Sequence, residues 1–122
     1  MTHSTLLLRQ IHPDWIVGGR VTSQAFKPTK KDKGRLSTED GDRTTAQDSY
    51  DRYIQKYDSD GVMAVTVQEC TDLQLPVLPE PNKHSEYHTI IDYRTSTRKQ
   101  VKDKAGLLTA HARRRDWLYQ PA

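Results

Sequence analysis

The sequence predicts an α+β domain, a mixed or antiparallel sheet of four or five short strands carrying two helices. Two observations carry that reading, and a third bounds it. Runs rich in β-branched and aromatic residues alternate with helical patterns in the order β-β-α-β-β-α. Both helical patterns open on a Thr-x-x-Gln spacing, which lets side chains satisfy the first free N–H groups. At 122 residues the chain suits one core.

Residues 5–11 read as the opening strand, largely apolar and free of helix breakers. His12-Pro13-Asp14 interrupts it, because proline lacks the N–H a ladder needs. Trp15-Ile16-Val17 resumes briefly and stops at the Gly18-Gly19 turn. Residues 21–26 form a second strand, with Val21, Ser23 and Ala25 on one side. Residues 27–42 contain one large apolar residue, Leu36, and read as an exposed, charged loop.

Thr44 to Gln47 opens the first helix, whose stripe is Ala46, Tyr50, Tyr53, Ile54 and Tyr57. Residues 58–61 end it. The run 62–67 is short, apolar and β-branched, and reads as a central strand. One or two helical turns are expected over 68–73, followed by a stiff stretch set by Pro76, Pro79 and Pro81. Residues 86–93 read as another strand. The last helix starts at Ser96 or Thr97, with Val101, Ala105, Leu108 and Ala112 toward the core. Gly106 weakens that helix by about 1 kcal/mol relative to Ala. Trp117-Leu118-Tyr119 forms a short strand or packed tail.

Composition limits the function classes. Leu, Ile, Val and Phe make up about 19% of the chain, a thin aliphatic core that favours a protein partner or homo-oligomer. Six Tyr and two Trp add buriable surface, and the formal net charge of only +3 argues against disorder. The single Cys70 permits no internal disulfide and suits a reducing compartment. No run approaches the ~20 apolar residues of a membrane span, so no membrane association and a cytoplasmic location are expected.

Charge is segregated along the chain. Lys27, Lys30, Lys31, Lys33 and Arg35 face a single acid, Asp32, in their segment. Residues 39–60 are predominantly acidic, and residues 94–116 predominantly basic. If the two basic segments meet in the fold, they create a local field that the total charge conceals.

The residues His12-Pro13, Gly19-Arg20-Val21-Thr22-Ser23-Gln24-Ala25-Phe26, Pro28-Thr29 and Lys31-Asp32 carry one resemblance. The segment resembles the opening of small uncharacterised bacterial proteins, in which a Ser-x-Ala-Phe strand precedes a helix, a central apolar strand and a late His-containing strand. The resemblance implies a bacterial origin and one compact domain. It attaches no chemistry.

His84, His88 and Asp92 have metal-ligand side chains four residues apart, a spacing that would gather them on a helix. On a strand, positions four apart lie ~13 Å apart, so no metal site is expected. His88 and Asp92 share a strand face, and Glu69 follows the central strand. These three are the candidate catalytic set, with His88 as acid or base. Cys70 reads as buried and inert. Arg9 and Ser23, with His12 and Gln24, are candidate anion ligands from the first two strands. Gly18-Gly19 lacks the longer pattern of a phosphate loop. Arg113, Arg114 and Arg115 beside Trp117 and Tyr119 pair charge with aromatics, as nucleic-acid binders do. No cofactor is expected.

Two functions follow from these residues. The first is a non-catalytic interaction subunit of a larger bacterial assembly. The alternative is a small enzyme acting on nucleic acid or a nucleotide through a His/Glu/Asp cleft.

Overall fold

Alternating burial builds one antiparallel sheet in the computed structural model, which describes residues 1–122. Its strands are β1 (Leu6–Gln10), β4 (Arg35–Asp40), β5 (Val62–Thr66), β6 (Val77–Pro79) and β7 (His88–Asp92), in the spatial order β5-β1-β4-β7-β6. A separate hairpin pairs β2 (Ile16–Val17) with β3 (Arg20–Val21). The helices are α1 (Ala46–Tyr53), α2 (Val67–Thr71) and α3 (Arg98–Arg115). This is the α+β class expected, with all pairings antiparallel.

α3 covers one sheet face, where Leu7, Met63, Val65 and Ile91 meet Leu108 and Ala112. α1 covers part of the other, where Tyr50 packs on Leu8, Val62 and Ala64. Only 27 of 122 residues are buried, in keeping with the thin core expected.

Several elements differ from the sequence reading. Of residues 21–26 only Val21 belongs to a strand, β3, and Ser23–Phe26 is a 3-10 turn. Its backbone bonds locally, Ala25 N–H donating to Thr22 O at 3.1 Å and Lys27 N–H to Gln24 O at 3.3 Å, and this turn buries both Ala25 and Phe26. The supposed loop 27–42 holds a short 3-10 turn, Lys30–Asp32, and then β4, the middle strand of the sheet. β4 escapes sequence detection because polar residues fill two of its inward positions. Thr38 is satisfied by the Thr89 carbonyl at 2.8 Å, and Asp40 accepts the Asp42 N–H at 2.9 Å. α1 is capped by Thr45 rather than Thr44 and ends at Tyr53, which leaves Ile54 and Tyr57 exposed.

β5 is the largest correction, since it lies at the sheet edge. Its continuous apolar run reflects burial on both faces, with residues 62–65 at most 2% exposed. Its outward backbone groups find partners elsewhere. Val62 donates to Tyr119 O and accepts from Leu118 N, each at 2.9 Å. Ala64 O accepts from Arg115 Nη1 at 2.9 Å, and the Thr66 N–H donates to Glu69 Oε1 at 2.8 Å. Gly61, at φ +146°, lets the tail approach, because a Cβ there would sit 2.5 Å from Tyr119 O. The opposite edge, β6, is blunted differently. Pro76 O and Glu80 N face β7, so Val77 and Pro79 face outward, and proline offers no donor. Both edges therefore resist pairing with another strand.

Arg115→Ala removes the partner of both Ala64 O and Glu69, so it is expected to destabilise by about 2–3 kcal/mol. Arg114→Ala, at an exposed position on the same turn, should change stability by about 0.5 kcal/mol or less. Urea unfolding midpoints of the two variants measure the difference.

Candidate functional site

The two basic segments meet. Lys27, Lys30 and Lys33 on one side and Arg94 and Arg98 on the other line a cleft of about 370 Å³. Pro28, Thr29, Gly34, Ser96 and Val101 complete its walls, together with Tyr93, and no carboxylate or imidazole lines it. The local sequence explains the geometry. Thr29 caps the Lys30–Asp32 turn, with Asp32 Oδ2 accepting the Thr29 N–H at 2.6 Å, so the acid of this segment is held by its own turn. Lys33 and Gly34 follow with positive φ and reverse the chain toward Arg94. Gly34 is required there, because a Cβ would lie 2.9 Å from Arg94 Cγ. Across the cleft, Thr97 and Gln100 cap α3 reciprocally, and Arg98 begins the helix. Tyr93 is buried, with its hydroxyl donating to Phe26 O at 2.6 Å, so it presents no free ring face for stacking.

A second cavity, of about 270 Å³, lies on the other side of the Lys30–Asp32 turn. It contains His88, whose Nδ1 lies 2.8 Å from Glu80 O and whose Nε2 lies 3.0 Å from Ser37 Oγ. A carbonyl only accepts, so Nδ1 carries the proton and Nε2 receives the Ser37 hydroxyl. Ser37 pairs with Ile90 across β4 and β7, which places its side chain diagonal to His88 on one sheet face.

The expected catalytic set is not assembled. Glu69 lies in α2 beyond β5, and three strand spacings, about 14 Å, separate β5 from β7. Glu69 serves the fold instead. It completes the α2 capping box with Thr66, pairs with Arg115 at 2.9 Å and lies 3.2 Å from His111 Nδ1. Burial opposes its ionisation, yet Arg115, the Thr66 N–H and His111 together hold its carboxyl below the usual carboxylate range. Asp92 is engaged by Arg94 through two side-chain bonds, at 2.9 and 3.0 Å, and one backbone bond, at 2.8 Å. The Arg94 guanidinium lowers its pKa against a smaller effect of burial. His84 is exposed in the loop before β7, away from any set of ligands for a metal. Cys70 is fully buried, and burial followed by the Glu69 charge pushes its thiol up to about 12.

Most of the predicted anion ligands are engaged within the fold. Arg9 donates to Ala25 O at 2.8 Å and Ser37 O at 3.0 Å and lies under the Trp15 ring, filling the gap where β1 and β4 diverge. Ser23 sits in the 3-10 turn. Arg113 donates to Val21 O at 3.0 Å, and Arg115 is held by Glu69 and Ala64. Of the three arginines only Arg114 faces solvent. Sequence reading missed Ser37 because its strand was read as a loop, whereas it had raised the meeting of the two basic segments. The charge segregation was the available signal.

Comparison of the chain with protein-family models, with curated proteins and with solved structures finds no match. No helix is long and apolar enough to cross a membrane.

The Glu69 carboxyl titrates lower in the folded state than in the unfolded chain. Its contribution to stability is therefore complete above the ordinary carboxylate range and is lost as pH falls through the folded value. Wild type should be more stable than Glu69→Gln at pH 7, and the gap should close below about pH 4. Urea unfolding across pH checks this, and an equal gap at both ends would contradict the assignment.

Proposed function

We propose that this chain is an interaction domain of a larger bacterial, cytoplasmic assembly, and that its basic cleft holds the phosphate groups of nucleic acid. The observation that carries the reading is the convergence of Lys27, Lys30, Lys33 and Arg98, with the Asp92-paired Arg94, around one cleft with no acid in its wall. Clustered cations in a concave site focus a positive field and displace the counterions of a polyanion. The absence of carboxylate and imidazole from the wall supports binding without chemistry at this cleft. The buried ring of Tyr93 supports recognition by phosphate rather than base stacking, and hence little sequence preference.

The thin core still argues for a protein partner, and Val17, Ile54, Tyr57 and Leu107 are among the exposed apolar groups available to one. The closed sheet edges argue against a homo-oligomer built by strand pairing. The lone, buried Cys70 supports a reducing compartment.

A fluorescent single-stranded oligonucleotide titrated at several salt concentrations tests the cleft. Binding should weaken steeply with salt, and the triple variant Lys30→Ala, Lys33→Ala, Arg98→Ala should reduce the slope by about one unit for each phosphate it no longer neutralises. Arg114→Ala should bind as wild type. Binding undetectable at low salt, or a triple variant that behaves as wild type, would contradict the reading.

A further inference from the structure

Across the Lys30–Asp32 turn from the basic cleft, β4 and β7 place polar side chains on the part of the second sheet face that α1 leaves uncovered. Lys31, Arg35, Ser37, Glu80, Asn82 and His88 surround the second cavity, of about 270 Å³. From this arrangement we propose that Ser37 is a nucleophile and His88 its general base, in a site that transfers the acyl group of small polar esters. The proposal is independent of phosphate binding at the basic cleft.

The geometry supports it in five respects. A serine hydroxyl is a weak nucleophile until a base accepts its proton, and His88 Nε2 lies 3.0 Å from Ser37 Oγ. The base needs the correct tautomer and a fixed ring, and the Glu80 carbonyl provides both by accepting from Nδ1 at 2.8 Å. The Glu80 carboxylate, 3.7 Å from the same nitrogen, favours the imidazolium that forms when the proton arrives. The His88 side chain is only 16% exposed, so its orientation is held, whereas Ser37 is exposed and open to a substrate. Both side chains stand on paired strands, which fixes their separation better than loops would.

Charge developing on a carbonyl oxygen also requires donors. Asn82 Oδ1 accepts the N–H groups of His84 and Ser85 at 2.8 and 2.9 Å, so its orientation is set and its NH₂ group remains for an oxygen in the cavity it lines. Arg35 and Lys31 stand on the same wall, Arg35 paired with the Glu80 carboxylate at 3.4 Å and Lys31 beside Asp32, so Asn82 is the neutral donor of the site.

The reaction balances without any further reagent. Ser37 Oγ forms a bond to the acyl carbon while its proton moves to His88 Nε2. The tetrahedral oxyanion collapses, the bond from carbon to the alcohol oxygen breaks, and the alcohol leaves with the proton from Nε2. Water then attacks the acyl-serine, passes a proton to Nε2 and releases the acid, and that proton returns to Ser37 Oγ.

Incubation with p-nitrophenyl acetate, followed by peptide mass mapping and measurement of p-nitrophenolate release, tests the proposal. An acetyl group on the peptide carrying Ser37, with continued release, is the expected result. Ser37→Ala, a truncation at an exposed position, should keep the fold and lose both signals. His88→Gln should slow release at least about a hundredfold, the usual effect of removing a general base. Acetylation confined to lysines, no acetylation at all, or equal labelling of Ser37 in His88→Gln would each overturn it.

Discussion

The ion pair between Arg115 and Glu69 holds the architecture at its weakest point, the open edge of β5. A sheet edge presents backbone donors and acceptors that must be satisfied once both faces are buried. Here the last residue of α3 reaches the edge. Arg115 bonds Ala64 O and both Glu69 oxygens, while Glu69 closes the N-terminus of α2. The tail that follows bonds Val62 and finishes the edge. One guanidinium thus ties α3, β5 and α2 together and lets an edge strand be buried on both faces with Ala64 O satisfied.

That anchorage has a consequence at the far end of α3. A helix of 18 residues spans about 27 Å. Fixing Arg115 at β5 directs the start of the helix toward the turn after Phe26, where Arg98 meets Lys30 and Lys33. The two ends of α3 have separate work. Its C-terminal arginines are largely internal to the fold, and its N-terminal cations are free for a ligand. The dipole of α3, positive at this end, adds to the field there. The charge pattern along the sequence therefore becomes a spatial division. One side of the Lys30–Asp32 turn is wholly cationic, and the other mixes both signs around Ser37 and His88.

The fold class was legible because periodicity and caps are local properties. Thr97 with Gln100, and the stripe Val101, Ala105, Leu108 and Ala112, describe α3 closely. β7 was legible from its β-branched run. β4 was not, because its inward Thr38 and Asp40 are made tolerable by bonds to Thr89 and Asp42, and the first of these is tertiary. The Ser-x-Ala-Phe segment misled because its backbone bonds locally, Ala25 to Thr22 and Lys27 to Gln24, and joins no ladder. At the candidate site, His88 and the charge segregation were visible in sequence. Ser37 became visible only with β4, and Glu69, Arg113 and Arg115 showed their structural role only once their partners were placed.

The central claim is that phosphate binds where the two basic segments converge. Chemical-shift mapping of the ¹⁵N-labelled protein during titration with a short oligonucleotide tests it at residue resolution. The account predicts perturbed amides at Lys30, Lys33, Gly34 and Arg98, with Arg113, Arg114, Arg115 and Ser37 unmoved. Perturbation concentrated at the C-terminal end of α3, with the Lys30 to Gly34 amides silent, would contradict it.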